Sequence, residues 1–165
     1  MKTSLTERFA PSYPIMLAPM GGVSGGALAA GVSNAGGLGM VGGGYGDLQW
    51  MKRELELAVA GIGRPWDVGL ITWEATREAV ALALSYKSQV FFSSFDDASP
   101  YADAIKTQGC ALEGYRGAQQ RGDFDQAQVW GGEVVDLISS VEPGATLTER
   151  IGREAADGLR RLGAA

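Results

Sequence analysis

The chain has 165 residues, 45% of them hydrophobic and 20% charged, with a net charge of −5, which sets the expectation of one soluble domain around a single core. An acidic chain with no basic run suits phosphate backbones poorly, so no nucleic-acid partner is expected. There is no histidine and only one cysteine, Cys110, which excludes imidazole acid–base chemistry and an internal disulfide framework and leaves no metal cluster to assign. Cys110 reads as a small buried residue at a helix end. The first residues lack an apolar h-region, and no apolar run approaches the roughly 18 residues of a membrane span. The expected location is cytoplasmic, with no membrane partner.

In chain order, residues 1–13 read as a loose arm, because Pro11 and Pro14 discourage helix. Pro14–Met20 (PIMLAPM) reads as a buried first strand, followed by a turn at Gly21-Gly22. Ser24 is the expected N-cap of a helix over Gly25–Ser33, and Gly36-Gly37 suit a left-handed stop. Leu38–Gly43 is the second strand. Asp47 is placed to cap a helix whose apolar face is Leu48, Met51, Leu55, Val59 and Ile62, ending near Gly61, Gly63 and Pro65.

Asp67–Trp73 (DVGLITW) reads as a third strand, apolar in one run as a strand buried on both faces should be. Glu74–Tyr86 is an expected helix and Gln89–Ser94 a fourth strand. Pro100–Gln108 is a short helix closed by Gly109. Strands alternating with helices through short loops predict parallel βαβ units. After Cys110 the alternation stops. Ala111–Arg121 and Phe124–Val141 read as helical. Thr146-Leu147-Thr148-Glu149 fits a capping box for a last helix with Leu147, Ile151, Ala155, Leu159 and Leu162 on one face.

Eleven glycines fall between Pro14 and Gly44, a density that points to tight turns or to close backbone approach by a ligand. Gly37-Leu38-Gly39-Met40-Val41-Gly42 matches the dinucleotide pattern G-x-G-x-x-G. That motif needs a strand before it and a helix N-terminus after it. Here a helix precedes and a strand follows, so the reading is rejected. The turn Ala18-Pro19-Met20-Gly21-Gly22 has the right order, lying after a strand and before a helix, where parallel α/β folds bind ligands. Small residues there would let a flat ring lie on the backbone. Thr72 and Trp73 end the third strand, and Ser93-Ser94 with Asp96-Asp97 the fourth. The glycines fit equally well a purely structural role in close helix–strand packing. Asp96-Asp97 also reads as a solvated N-cap.

These segments carry a resemblance. PIMLAPMGGVS, LAAGVSNAGGLGMV, DVGLITW and FFSSFDDASPYADAIKTQG resemble nitronate monooxygenases, also called 2-nitropropane dioxygenases, and GDFDQAQVWGGEVVDLI resembles that family's helical tail. The resemblance implies an α/β fold, a partial TIM (β/α) barrel of four parallel βα units followed by a helical C-terminal segment. It implies one domain over 1–165, with the half barrel at 14–109 and the tail at 122–165. It implies an FMN-dependent oxidoreductase whose cofactor-binding residues are Ala18, Pro19, Met20, Gly21 and Thr72, with Trp73 next to them. The partners it implies are a nitronate or nitroalkane and O2.

A complete (β/α)8 barrel takes about 250 residues. Between Cys110 and Gly122, where the family carries its catalytic histidine and phosphate loops, only ALEGYRGAQQR stands. The chain reads as a barrel with its second half excised and the tail rejoined, so no catalytic residue can be assigned. The alternative is a half-barrel remnant that binds flavin or associates with itself. Open strand edges and an uncovered inner face predict a homodimer, or cover from the C-terminal helices.

Overall fold

Four short strands pair in parallel and in chain order: β1 (Gly39–Gly42), β2 (Trp66–Ile71), β3 (Val90–Ser94) and β4 (Ala111–Gly114). Among the described residues the helices are α1 (Ser4–Phe9), α2 (Gly26–Asn34), α3 (Leu48–Gly61), α4 (Arg77–Ser85), α5 (Ser99–Thr107) and α6 (Gly144–Arg161). This computed structural model describes residues 2–43, 45–87, 90–94, 98–108, 111–114 and 140–161. Among them no helix is long and apolar enough to cross a membrane.

The register pairs Met40 with Asp67 and Gly42 with Gly69. In a parallel ladder paired residues share a face, so these four lie on one side and Val41, Val68 and Leu70 on the other. The second side carries the core. Val41, Val68 and Leu70 pack with Ala29 of α2, Met51, Leu55 and Ala58 of α3, and Val80 and Ala83 of α4. Helices on one face of a small parallel sheet are the arrangement of part of a (β/α) barrel.

Several local expectations hold. Asp47 accepts from Gln49 N at 3.0 Å and Trp50 N at 2.9 Å, capping α3. Gly36 has φ +98° and stops α2. Others are corrected. The arm contains a helix, because Thr3 and Thr6 form a reciprocal capping box, although α1 buries no residue. The expected strand Pro14–Met20 is reduced to one bridge, Met16 with Leu38, flanked by Leu17 N→Leu38 O at 2.9 Å and Leu38 N→Ile15 O at 2.8 Å. Pro14 and Pro19 have no N–H to give the ladder, and Met20 N turns back to Ala18 O at 3.0 Å. On α3, Ala58 is buried and Val59 is 50% exposed.

The expected helix over Ala111–Arg121 begins instead with β4, whose register continues the sheet from Phe91↔Leu112 to Ser93↔Gly114. Ala111, Leu112 and Glu113 are good helix formers, but over so few residues that preference is small and sheet pairing overrides it. Residues 115–121 and nearly all of Phe124–Val141 lie outside the described residues, as do Cys110 and Asp96-Asp97. The last helix starts at Gly144, two residues before Thr146, with Leu147 N bonded to Pro143 O at 3.1 Å. Thr146 is therefore inside the helix and caps nothing. Helix α6 docks by its small residues. Thr148 and Gly152 are buried, Gly152 against the Tyr13 ring and Gly144 against Leu28 of α2, while Leu147 and Ile151 stay 39% and 43% exposed. Close approach of two helices, which needs side chains without bulk, decided which face went inward.

At the opposite end of the sheet from the strand C-termini, the SNAGGLG segment is a clamp. The Ser33 hydroxyl donates to Pro65 O at 3.0 Å and accepts from Gly39 N at 2.9 Å, tying α2 to the starts of β1 and β2. Asn34 donates to Gly61 O at 2.8 Å and accepts from Gly63 N at 3.3 Å. Ser33→Ala strands two backbone groups at a fully buried position, and is expected to cost about 2 kcal/mol. A urea midpoint equal to wild type would show that this clamp carries no load.

Candidate functional site

The C-terminal ends of β1 and β2 carry glycines on the face away from the helices, and the segment Ala18–Gly21 lies over them. A Cβ at Gly42 would stand 2.6 Å from the carbonyl carbon and oxygen of Met20 and 3.0 Å from Gly21 N. A Cβ at Gly69 would collide with the Pro19 ring. Both glycines therefore serve a close approach, and what approaches them is the chain's own turn. The packing reading and the ligand reading of the glycines are thus two sides of one segment. Its inner side rests on the sheet and its outer side is open.

The outer side is polar backbone framed by apolar side chains. Gly22 has φ +72° and nothing within 4 Å of where a Cβ would be. Among the described residues, none accepts a hydrogen bond from the N–H of Gly21 or Gly22. Met20 is 44% exposed and Val23 63%, and the neighbouring loops add Tyr45 at 67% and Trp73 at 57%. Ala18, Pro19 and Gly21 are half-buried. Thr72 is buried and opens a single 3-10 turn, Thr72–Glu74, directly after β2. Ser93 and Ser94 pair with Leu70 and Ile71, level with the end of β2.

Ser24 holds the turn. Sequence grammar makes it an N-cap, but the N-cap of α2 is Gly25 and no side chain of that residue can serve. The Ser24 hydroxyl points backward, donating to Ala18 O at 2.6 Å and accepting from Met20 N at 3.3 Å. The first turn of α2 is closed instead by Glu54 of α3, which accepts from Gly26 N at 3.0 Å. No local pattern announces Glu54, since it is 28 residues from its partner. Asp67, fully buried on the inner face, was legible only as the one charge in an apolar run.

Three helices start at this end of the sheet with side-chain acceptors already in place. These are Glu54 on α2, Asp47 on α3, and Thr76 on α4, which accepts from Ala79 N at 3.1 Å. Two of the three are carboxylates. An anion gains from a helix N-terminus through its free N–H groups and positive dipole end. Here one or two of those groups in each helix are already bonded, and two negative charges stand beside them, whereas α5, which follows β3, has no side-chain cap.

A sequence profile of the nitronate monooxygenase family matches residues 2–91. No curated protein matches the chain. Among solved structures it is similar to FabK from Thermotoga maritima, at 21% identity and TM-score 0.64 over 77% of this chain and 42% of that one. A point mutant of the same FabK gives 22% identity and TM-score 0.60, over 69% and 39%. Nitroalkane oxidase from Streptomyces ansochromogenes gives 24% identity and TM-score 0.53, over 68% and 42%. At these identities the likeness shows the fold alone. The chain spans about two fifths of the length of these relatives.

Proposed function

The chain belongs to the nitronate monooxygenase family, and on that premise we propose that it is an FMN-dependent oxidoreductase that oxidises alkyl nitronates with O2 to a carbonyl compound and nitrite. The observation that supports this reading most is the turn Ala18–Gly21, pinned on Gly42 and Gly69 with its outer edge open. In this proposal Ala18, Pro19, Met20, Gly21 and Thr72 hold the flavin ring. The N–H groups at Gly21 and Gly22, which bond to no acceptor among the described residues, suit a ring edge rich in acceptors, and a turn without bulky side chains lets the ring lie flat. Residues 1–165 are read as one domain, a half barrel over 14–109 that β4 extends, with a helical tail over 122–165.

FMN, when bound, supplies the electron exchange between nitronate and oxygen. The chain's own residues supply the seat. Met20, Val23, Tyr45 and Trp73 offer exposed apolar surface around it, which would exclude water from a small organic substrate. The chain has no histidine, so no imidazole takes a proton from the substrate, and a substrate that arrives already ionised suits the seat better than one that must first lose a proton. The phosphate of FMN fits the described residues less well than the ring does. Of the helices that follow the turn and the strands, α2, α3 and α4 carry side-chain caps from Glu54, Asp47 and Thr76, two of which repel an anion, and α5 has none.

That mismatch also favours a second reading, in which the chain binds flavin or a second copy of itself without turnover. One experiment tests both. Titrating FMN with the full chain and following flavin fluorescence is expected to give saturable quenching, with the flavin lost on desalting. No saturable change would overturn the proposal. Saturable binding with no anaerobic bleaching by a preformed nitronate would overturn the enzyme reading and leave the binding module.

A further inference from the structure

Every polar group of Ser24 is committed to the turn or to the strand beneath it. Its hydroxyl donates to Ala18 O at 2.6 Å and accepts from Met20 N at 3.3 Å. Its N–H donates to Met20 O at 2.8 Å, and its carbonyl accepts from Gly42 N at 2.9 Å. The residue is fully buried. A serine one residue before an N-cap has an obvious competing use, bonding the free N–H groups of the helix. Glu54 removes that competition. Its carboxylate closes the first turn of α2 at Gly26 N, and a Cβ at Gly25 would collide with it, so the glycine makes room for the substitute cap. The Ser24 hydroxyl is thereby free to face the turn.

We propose that Ser24 is a positioning residue for the flavin seat. It fixes the directions of the Ala18 carbonyl and the Met20 N–H, and locks the turn to the end of β1. The inference rests on the proposed flavin site and adds to it a residue that touches no ligand. A serine hydroxyl suits the task because it donates and accepts at once. Alanine can do neither, and leaves Ala18 O with one donor, Met20 N. Threonine keeps the hydroxyl.

The test uses the full chain, with FMN titrations of wild type, Ser24→Ala, Ser24→Thr and Glu54→Gln at a temperature where all are folded. Ser24→Ala is expected to bind FMN about tenfold more weakly and Ser24→Thr within about twofold of wild type, since one buried hydrogen bond is at stake. In the absence of flavin, the amides of Met20 and Val23, which are bonded within the turn, should exchange faster in Ser24→Ala, with the amides of α3 unchanged. Glu54→Gln should lower Tm without weakening FMN binding, since it also removes a charge that repels the phosphate, and so separates the positioning of the turn from the stability of α2. Should Ser24→Ala fail to fold, Ser24→Cys keeps the volume, weakens the donor and reads the same way. Wild-type affinity in Ser24→Ala, or an equal loss in Glu54→Gln, would overturn the inference. If wild type itself binds no FMN, the proposed function fails and takes this inference with it, an outcome the wild-type titration shows alone.

Discussion

Replacing Gly42 with alanine is expected to lower the stability of the chain by about 3 kcal/mol, the upper end of what overpacking a closed site costs. The added methyl would stand 2.6 Å from the backbone carbonyl of Met20, and backbone cannot swing aside as a flexible side chain can. Either β1 moves, breaking its ladder to β2, or the turn lifts from the sheet. The second route also pulls on Ser24, because Gly42 N donates to its carbonyl at 2.9 Å. For a chain of this size that loss corresponds to a fall in Tm of about 10 °C. Gly69→Ala should behave alike, since its methyl would meet the Pro19 ring. In both variants the proposed flavin seat should be lost with the turn. Thermal unfolding followed by circular dichroism, with an FMN titration beside it, checks this. A wild-type Tm in Gly42→Ala would mean that the turn rides loosely over the sheet and that the proposed seat is not preformed.

Much of this architecture could be read from the sequence where one physical rule acts alone. Asp47 before an amphipathic run can only cap, and it does. The apolar run of DVGLITW reads as a parallel strand over Asp67–Trp73, and the structure forms it over Trp66–Ile71, with Thr72 and Trp73 turned out of it into a 3-10 turn. Misreadings arise where two rules compete and the winner lies far along the chain. Ser24 sits where a cap belongs, but a carboxylate from α3 takes that work and the hydroxyl turns to Ala18. Pro14–Met20 has the apolar character of a strand, yet Pro19 ends its pairing and sends it over the inner face, leaving one bridge at Met16. Ala111–Gly114 has no strand signature of its own and becomes β4 because β3 offers an edge. In the candidate site the turn was visible from its glycines. What holds the turn from below, Gly42, Gly69 and Ser24, became visible only in three dimensions.

The largest chemical effect expected is the difference between an ionised and a neutral substrate. A nitroalkane must lose its α-proton before it can give up electrons, and a positioned base contributes about 10²–10⁴-fold to such a transfer. The chain has no histidine for that step. Around the turn, two of the charged groups in the described structure already cap helices, while Glu74 of the 3-10 turn is exposed to solvent. Glu54 accepts from Gly26 N, and Asp47 accepts from Gln49 N and Trp50 N. Asp67 is sealed within the sheet. A nitronate carries its negative charge on arrival and bypasses the missing step. Preformed nitronate mixed with FMN-loaded chain under air should therefore yield nitrite at least about 10²-fold faster than the same concentration of parent nitroalkane. The measurement is nitrite release within the first seconds, before the nitronate reprotonates, at a pH well below the nitroalkane pKa. Comparable rates would sink this expectation and point to a carboxylate that removes the proton, with Asp96 and Asp97 the first to replace by asparagine. A rate confined to the nitronate would mean that the seat alone, without a base, suffices for the half of the reaction in which electrons move.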